Sequence, residues 1–182
     1  KWGDDFTGTS LNRSDWNVEL HEPGWVNNEL QAYVDSDENI QVKDGNLLLK
    51  PVKKTNADKT ESYTSGRINT QGKHDFTYGL FEASIKMPKG QGFLPAFWMM
   101  PTDENLYGQW PKCGEIDIME VMGQETNKAY GTIHYGEPHD QSQGTCTVDA
   151  KNNFADQYHT YACDWEPGKI TWYIDGVKFH EE

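Results

Sequence analysis

Residues 114–120, with the sequence GEIDIME, place three carboxylates within six residues and separate them with apolar side chains. Glu115 and Asp117 are two residues apart, so in a β-strand their side chains point to the same face. In a regular strand Glu120 would point to the opposite, apolar face. One extra residue near Met119, a β-bulge, returns Glu120 to the face of the other two acids. The pattern therefore predicts a bulged strand that carries three acids on one face.

Acid–apolar alternation is also typical of an ordinary half-buried strand whose outer face is solvated. Three like charges on neighbouring sites repel one another, however, and no basic residue lies between them. Such a cluster costs stability unless a functional site uses it. Trp98 and Trp110 precede the acids and His134 follows them, and aromatic rings beside paired acids are typical of a cleft that binds sugar rings. Hydrolysis of a glycosidic bond by two carboxylates needs this arrangement.

Length and charge limit the classes of partner. The 182 residues are enough for one domain with its own core. With 29 Asp and Glu against 16 Lys and Arg, the formal net charge is −13, which argues against nucleic acid and against an anionic membrane surface. No apolar run of 18 residues predicts a membrane span. The 7 Trp and 9 Tyr fit a protein that binds a carbohydrate.

The chain has three cysteines, at positions 113, 146 and 163. They form no CxxC pair and have no zinc-site spacing. The odd number leaves at least one free thiol. One disulfide of unassigned pairing and three unpaired thiols both remain open.

Short extended runs alternate with Gly, Asn, Asp and Pro turns, and no segment carries a helical period longer than a turn or two. The predicted strands are residues 40–42, 46–50, 65–70, 78–87, 94–100, 114–122, 128–135, 159–165, 170–174 and 177–180. Asp44-Gly45 and Asp175-Gly176 are predicted hairpin turns. We therefore expect an all-β fold, a two-sheet antiparallel sandwich of jelly-roll type, formed by one domain over residues 1–182.

Several segments together resemble family 16 glycoside hydrolases, and within that family the laminarinases, which are endo-acting β-1,3-glucanases. The acid motif, with Trp110-Pro111 before it, is the most specific of these segments. The others agree in order and spacing, and they are GWVNNELQAY (24–33), YTSGRI (63–68), GTIHY (131–135) and DWEP (164–167).

The resemblance implies a concanavalin-like jelly roll with an open cleft along its concave sheet. It implies that Glu115 is the nucleophile of a retaining mechanism and that Glu120 is the general acid/base. Asp117 would hydrogen-bond Glu115 and hold its orientation. Because the three charges are close, one proton should stay in the cluster, as a general acid at Glu120 requires. No cofactor is expected for catalysis.

The resemblance also implies binding roles for residues around the acids. Trp98 and Trp110 would stack on sugar rings near the cleaved bond, and the alternative for each is cross-strand packing in the core. His134 would hydrogen-bond near Glu120, and the alternative is a structural histidine with its own partners.

A second group of binding residues lies earlier in the chain. Arg67 and Asn28, or its neighbour Asn27, would contact sugar hydroxyls. Arg67 could equally form a structural ion pair, because acids outnumber bases in this chain.

A structural calcium is common in the family, far from the cleft. The matching positions are the backbone of Asp5 and of Gly45, with a third ligand beyond Glu182. Family domains also continue past the hairpin at Asp175-Gly176 with further strands. We therefore expect a C-terminally incomplete domain with an exposed apolar face beside Trp165 and Trp172, and a second chain is one expected source of the remaining strands.

The function expected is retaining, endo-acting hydrolysis of laminarin-like β-1,3-glucan by a secreted enzyme. Mixed-linkage β-1,3-1,4-glucan is the nearest alternative, although relatives specialised for it typically lack the extra residue between Asp117 and Glu120. Action on galactans is another, but a sulfated polymer would be repelled by the net charge of −13. A non-catalytic glycan-binding protein on the same fold is a third, and it would need neither Glu115 nor Glu120.

Overall fold

The computed structural model describes residues 1–182, which divide into two compact units, residues 1–75 and residues 76–182. Both units are built almost entirely from β-strands. The α-helix α1 has four residues, Glu104–Tyr107, and a single 3-10 turn covers Ala150–Asn152. No helix is long and apolar enough to cross a membrane.

The first unit contains seven short strands in three small sheets. The strands are β1 Asn17–Val18, β2 Gln31–Tyr33, β3 Ile40–Lys43, β4 Asn46–Leu49, β5 Val52–Thr55, β6 Glu61–Ser65 and β7 Ile68–Asn69. They pair as β1-β7, β3-β4 and β2-β6-β5. The β2–β6 pair is parallel, which the prediction of a wholly antiparallel fold did not include. Leu11, Ile40 and Val42 form the buried core of this unit.

The second unit is a sandwich of two antiparallel sheets. Its strands are β8 Gly79–Ile85, β9 Ala96–Met99, β10 Glu115–Val121, β11 Lys128–Tyr135, β12 Asp140–Thr147, β13 His159–Glu166, β14 Lys169–Ile174 and β15 Val177–Glu181. One sheet has the order β12-β11-β10-β9 and the other the order β15-β14-β13-β8. The core between them includes Ile118, Met119 and Val121 from β10, and Tyr161 and Trp172 from the other sheet.

Most predicted strands are present, with ends that move by at most two residues. The predicted strand 65–70 is wrong: the chain leaves β6 at Ser65 and re-enters a sheet at Ile68. Gly66 lies between them, and a Cβ there would stand 2.8 Å from Ile40 Cγ1, so the backbone packs directly on the core. Strand β12 was not predicted, because its sequence DQSQGTCT is polar, and it forms only through its register with β11.

The predicted bulge in β10 is confirmed. Asp117 pairs with Thr132 of β11, and Glu120 pairs with Tyr130. The step is three residues on β10 and two on β11, so β10 holds one extra residue. Met119, in the bulge, is buried in the core.

The expected exposed apolar face beside Trp172 is wrong, since Trp172 is fully buried. Its indole packs against Gly131 of the facing sheet and 4.8 Å from the His180 ring, and its Nε1 donates to the Asp117 carbonyl oxygen at 2.9 Å. Trp165 is half-buried and contacts Tyr78 edge to face. The three cysteines are all free, so neither sheet is cross-linked.

The close approach of the sheets at Gly131 leads to a stability prediction. In Gly131→Ala the new Cβ would lie 2.5 Å from Trp172 Cδ1, so the indole must move and the sandwich is overpacked. We expect a loss of about 1–3 kcal/mol in the free energy of unfolding, measured by urea denaturation. Gly3→Ala is the control, because nothing lies within 4 Å of its added Cβ. Equal stability of the two variants would contradict this packing.

Candidate active site

The three acids of β10 lie on one face of the sheet, together with two of the predicted sugar-binding residues. Glu115 is directly opposite His134 of β11, and Asp117 is directly opposite Trp98 of β9. Residues directly opposite each other in an antiparallel pair point to the same face. Because of the bulge, Glu120 returns to this face, as predicted.

Asp117 is the most buried of the three acids, with 3 % of its surface exposed. It makes the expected side-chain hydrogen bond with Glu115. Burial raises the pKa of Asp117 far above its ordinary range, and the hydrogen bond to Glu115 and the charges of Glu115 and Glu120 raise it further. The raised pKa favours the protonated form of Asp117, which can donate a hydrogen bond to Glu115.

Glu120 also has a raised pKa. Burial is the main cause, and the negative charge of Glu115 adds to it. A raised pKa keeps a carboxylic acid protonated to higher pH, which is the state that a general acid needs.

Neither tryptophan is among the buried residues of the core between the sheets, and stacking on sugar rings stays a prediction for both. Trp98 is half-buried on the acid-bearing face. Trp110 is 46 % exposed, and its Nε1 donates to Glu115 Oε2 at 2.7 Å. The sequence predicted Trp110 as a stacking surface and gave no signal of this hydrogen bond. Glu115 thus accepts hydrogen bonds from both Trp110 and Asp117.

His134 contacts Asp117 and not Glu120, which corrects the expected contact. His134 Nε2 lies 3.1 Å from Asp117 Oδ2, and His134 Nδ1 lies 3.0 Å from His139 Nε2. Burial lowers the pKa of His134, the charge of Glu115 opposes this, and His139 lowers it further. The lowered pKa of His134 and the raised pKa of Asp117 both favour the neutral forms of the two groups in contact. His139 was missed, because a histidine in a short turn carries no sequence signal.

Glu115, Asp117 and His134 place ligand-type atoms within 4.8 Å of one another. Carboxylate and imidazole groups can bind a divalent cation. In this cluster those atoms are engaged with one another and with Trp110, so hydrogen bonds account for their closeness. The calcium expected at Asp5 and Gly45 would use backbone oxygens. Both residues are exposed, Gly45 in the turn between β3 and β4, and this calcium stays a prediction.

Arg67 and Asn28 belong to the first unit. Arg67 Nε lies 2.9 Å from Glu19 Oε2, so the ion-pair alternative is present. The Arg67 guanidinium also lies 5.0 Å from the Trp25 ring centroid and 5.6 Å from that of Tyr33. Asn28 is exposed, with φ of +54°, a left-handed conformation that asparagine tolerates. Contact of Arg67 or Asn28 with a sugar stays a prediction.

Comparison with known proteins gives the same family along most of the chain. Residues 25–182 match Glycosyl hydrolases family 16. The chain is similar to glucan endo-1,3-beta-glucosidase A1 of Niallia circulans, with 39 % identity over 196 residues, covering 99 % of this chain and 29 % of the relative. It thus spans less than a third of that relative's length.

Solved structures agree with the predicted fold. The endo-beta-1,3-glucanase from Pyrococcus furiosus has a TM-score of 0.85 and 35 % identity, covering 100 % of this chain and 73 % of that one. A GH16 protein of a Bacteroides ovatus mixed linkage glucan PUL has a TM-score of 0.80 and 41 % identity, covering 98 % and 76 %. The strand-rich architecture matches these jelly-roll neighbours over the chain, which confirms the predicted fold class. By family match, sequence and structure, the chain belongs to glycosyl hydrolase family 16.

Proposed function

We propose that this chain carries the catalytic machinery of a retaining, endo-acting β-1,3-glucanase. The observation that carries the proposal is the bulged strand β10, which places Glu115, Asp117 and Glu120 on one face and lets Asp117 donate to Glu115. Paired carboxylates in distinct environments are what two-step glycoside hydrolysis needs.

In the first step the Glu115 carboxylate attacks the anomeric carbon. The glycosidic C–O bond breaks as Glu120 gives its proton to the leaving oxygen. Trp110 and Asp117 fix the direction of the nucleophile, since each donates a hydrogen bond to it. The products are a glycosyl ester on Glu115, an ionised Glu120 and a free chain end.

In the second step water attacks the ester, Glu120 accepts the proton of that water, and Glu115 leaves as a carboxylate. The change of role at Glu120 has an electrostatic cause. The negative charge of Glu115 helps to raise the pKa of Glu120, and the ester removes that charge. The pKa of Glu120 therefore falls in the intermediate, where a base is required.

Laminarin-like β-1,3-glucan is the first candidate substrate, supported by the names of the Niallia circulans and Pyrococcus furiosus relatives. Mixed-linkage β-glucan is the second, because 41 % identity to the Bacteroides ovatus protein favours it. A glycan-binding protein without activity would need neither Glu115 nor Glu120, and both residues are present, which argues against that alternative.

We also propose that the protein is secreted, since an intact polysaccharide does not enter cells. We propose no nucleic acid and no membrane as a partner. The proposal also keeps a structural calcium at Asp5 and Gly45 as a stabilising ion.

Products from laminarin, lichenan and agarose, compared side by side, test the substrate. We expect internal cleavage of laminarin, with a weaker effect on lichenan and none on agarose. Cleavage of lichenan alone would make the second substrate the correct one.

Glu115→Gln should lower kcat about 10⁴-fold or more, because the nucleophile is lost. Asp117→Asn should lower it less, about 10- to 100-fold, since Asp117 orients and does not react. Hydrolysis by Glu115→Gln at the normal rate would refute the mechanism.

Azide rescue separates the roles of the two glutamates. Glu120→Ala should form the glycosyl ester only from substrates with good leaving groups, and added azide should then yield a β-glycosyl azide. The product configuration is read by NMR, with Glu115→Gln as the matched variant. An α-glycosyl azide from Glu120→Ala would show that the two roles are exchanged.

The charge of Glu115 predicts a pKa change at Glu120. In Glu115→Gln the neutral amide removes the second cause of the raised pKa, so Glu120 should titrate at lower pH than in the parent chain. A carbon-13 NMR titration of the Glu120 carboxyl measures both values. In the parent, activity should persist above the ordinary range of a glutamic acid and fall as pH rises through the raised pKa. An unchanged or higher pKa of Glu120 in Glu115→Gln would contradict the proposed change of role.

A further inference from the structure

His139 lies in the turn of residues 136–139, which joins β11 to β12 beside the acid-bearing face. The turn is tight, because Tyr135 and Asp140 at its two ends are paired in the ladder. His139 is exposed, yet its Nε2 lies 3.0 Å from His134 Nδ1 and its ring centroid lies 5.0 Å from that of Trp110. The two-step mechanism above gives His139 no role.

The direction of the hydrogen bond between the two histidines follows from counting protons. The protonated form of Asp117, which its raised pKa favours, has one proton, and the hydrogen bond to Glu115 uses it. Asp117 Oδ2, which faces His134, can then only accept, so His134 Nε2 must carry the hydrogen. A neutral imidazole has one N–H, so His134 Nδ1 is an acceptor and the hydrogen of the remaining bond comes from His139 Nε2.

We infer that His139 is a positioning residue, which fixes the tautomer of His134 and thereby directs the proton of Asp117 toward the nucleophile Glu115. The hydrogen bonds then run in one direction, from His139 to His134, to Asp117 and to Glu115. If His134 took the other tautomer, its Nε2 would accept, and it would compete with Glu115 for the single proton of Asp117. Glu115 would lose one of the two hydrogen bonds that orient it.

This role rests on the proposed function for its effect on turnover, while the tautomer of His134 can be observed without any substrate. The ring contact with Trp110 raises a different role, in which His139 only supports that indole or binds sugar. The positioning role needs an N–H donor at residue 139. The role in support of Trp110 or in sugar binding needs a flat ring or a sugar contact there.

The experiment compares two substitutions of His139 with a control in the same turn. His139→Phe keeps a flat ring beside Trp110 and removes the N–H donor, whereas His139→Gln keeps an N–H donor at similar reach and removes the ring. Glu137→Gln is the control, because the Glu137 side chain is 75 % exposed and its ion-pair partner Lys112 is 3.6 Å away. Laminarin is the substrate for kcat and KM, and long-range proton–nitrogen NMR reads the tautomer of His134, with His134→Gln assigning its signals.

We expect His139→Phe to lower kcat about fivefold with KM unchanged, the effect of losing one hydrogen bond, and to shift His134 away from the Nε2–H tautomer. His139→Gln and Glu137→Gln should keep both kcat and the tautomer. The role is overturned if His139→Phe retains kcat and the Nε2–H tautomer, if its loss is confined to KM, or if His139→Gln is as slow as His139→Phe. If the parent chain cleaves no glucan, the proposed function is wrong, and the tautomer comparison alone decides the role of His139.

Discussion

The extra residue in β10 is the constraint on which the acid cluster depends. Without it Glu120 would point into the core, where an acid without a partner is costly. With it, Met119 fills the core and Glu120 joins Glu115 and Asp117 on the opposite face. Trp172 stabilises the backbone beside the bulge from the core side, because its indole N–H donates a hydrogen bond to the carbonyl oxygen of Asp117. Packing between the two sheets therefore fixes the backbone that positions the acids.

The acid cluster illustrates how burial separates the roles of similar groups. Three carboxylates this close cannot all be ionised, and the proton goes first to the group with the least water around it. That group is Asp117, which is the most buried of the three. Its proton orients Glu115, and the charge that remains on Glu115 in turn raises the pKa of Glu120. The unfavourable concentration of charge is thus relieved by the raised pKa values of Asp117 and Glu120.

The hydrogen bonds around Glu115 show why neighbours matter as much as the acids. Trp110 approaches from the segment before β10, while His134 lies on β11 and His139 in the turn after it. Each is placed by a different part of the second unit, so the site is only as well defined as the pairing of β9, β10, β11 and β12. The polar strand β12 contributes little to the core, but its pairing with β11 sets the two ends of the turn that holds His139.

The sequence by itself determined the fold class, the bulge and the face of the acids. Side chains in a strand alternate with a period of two, so Glu120 would fall on the apolar face unless one extra residue returned it to the face of the other acids. It also indicated Trp98 and Trp110 as side chains outside the core. Only the tertiary structure decided the partners: Trp110 with Glu115, His134 with Asp117, and His139 at the outer end. These contacts join residues from different strands and turns, and their distances depend on register and packing, which no local pattern encodes. For the same reason the burial of Trp172 was not foreseen, since it depends on the glycine that the facing sheet presents to it.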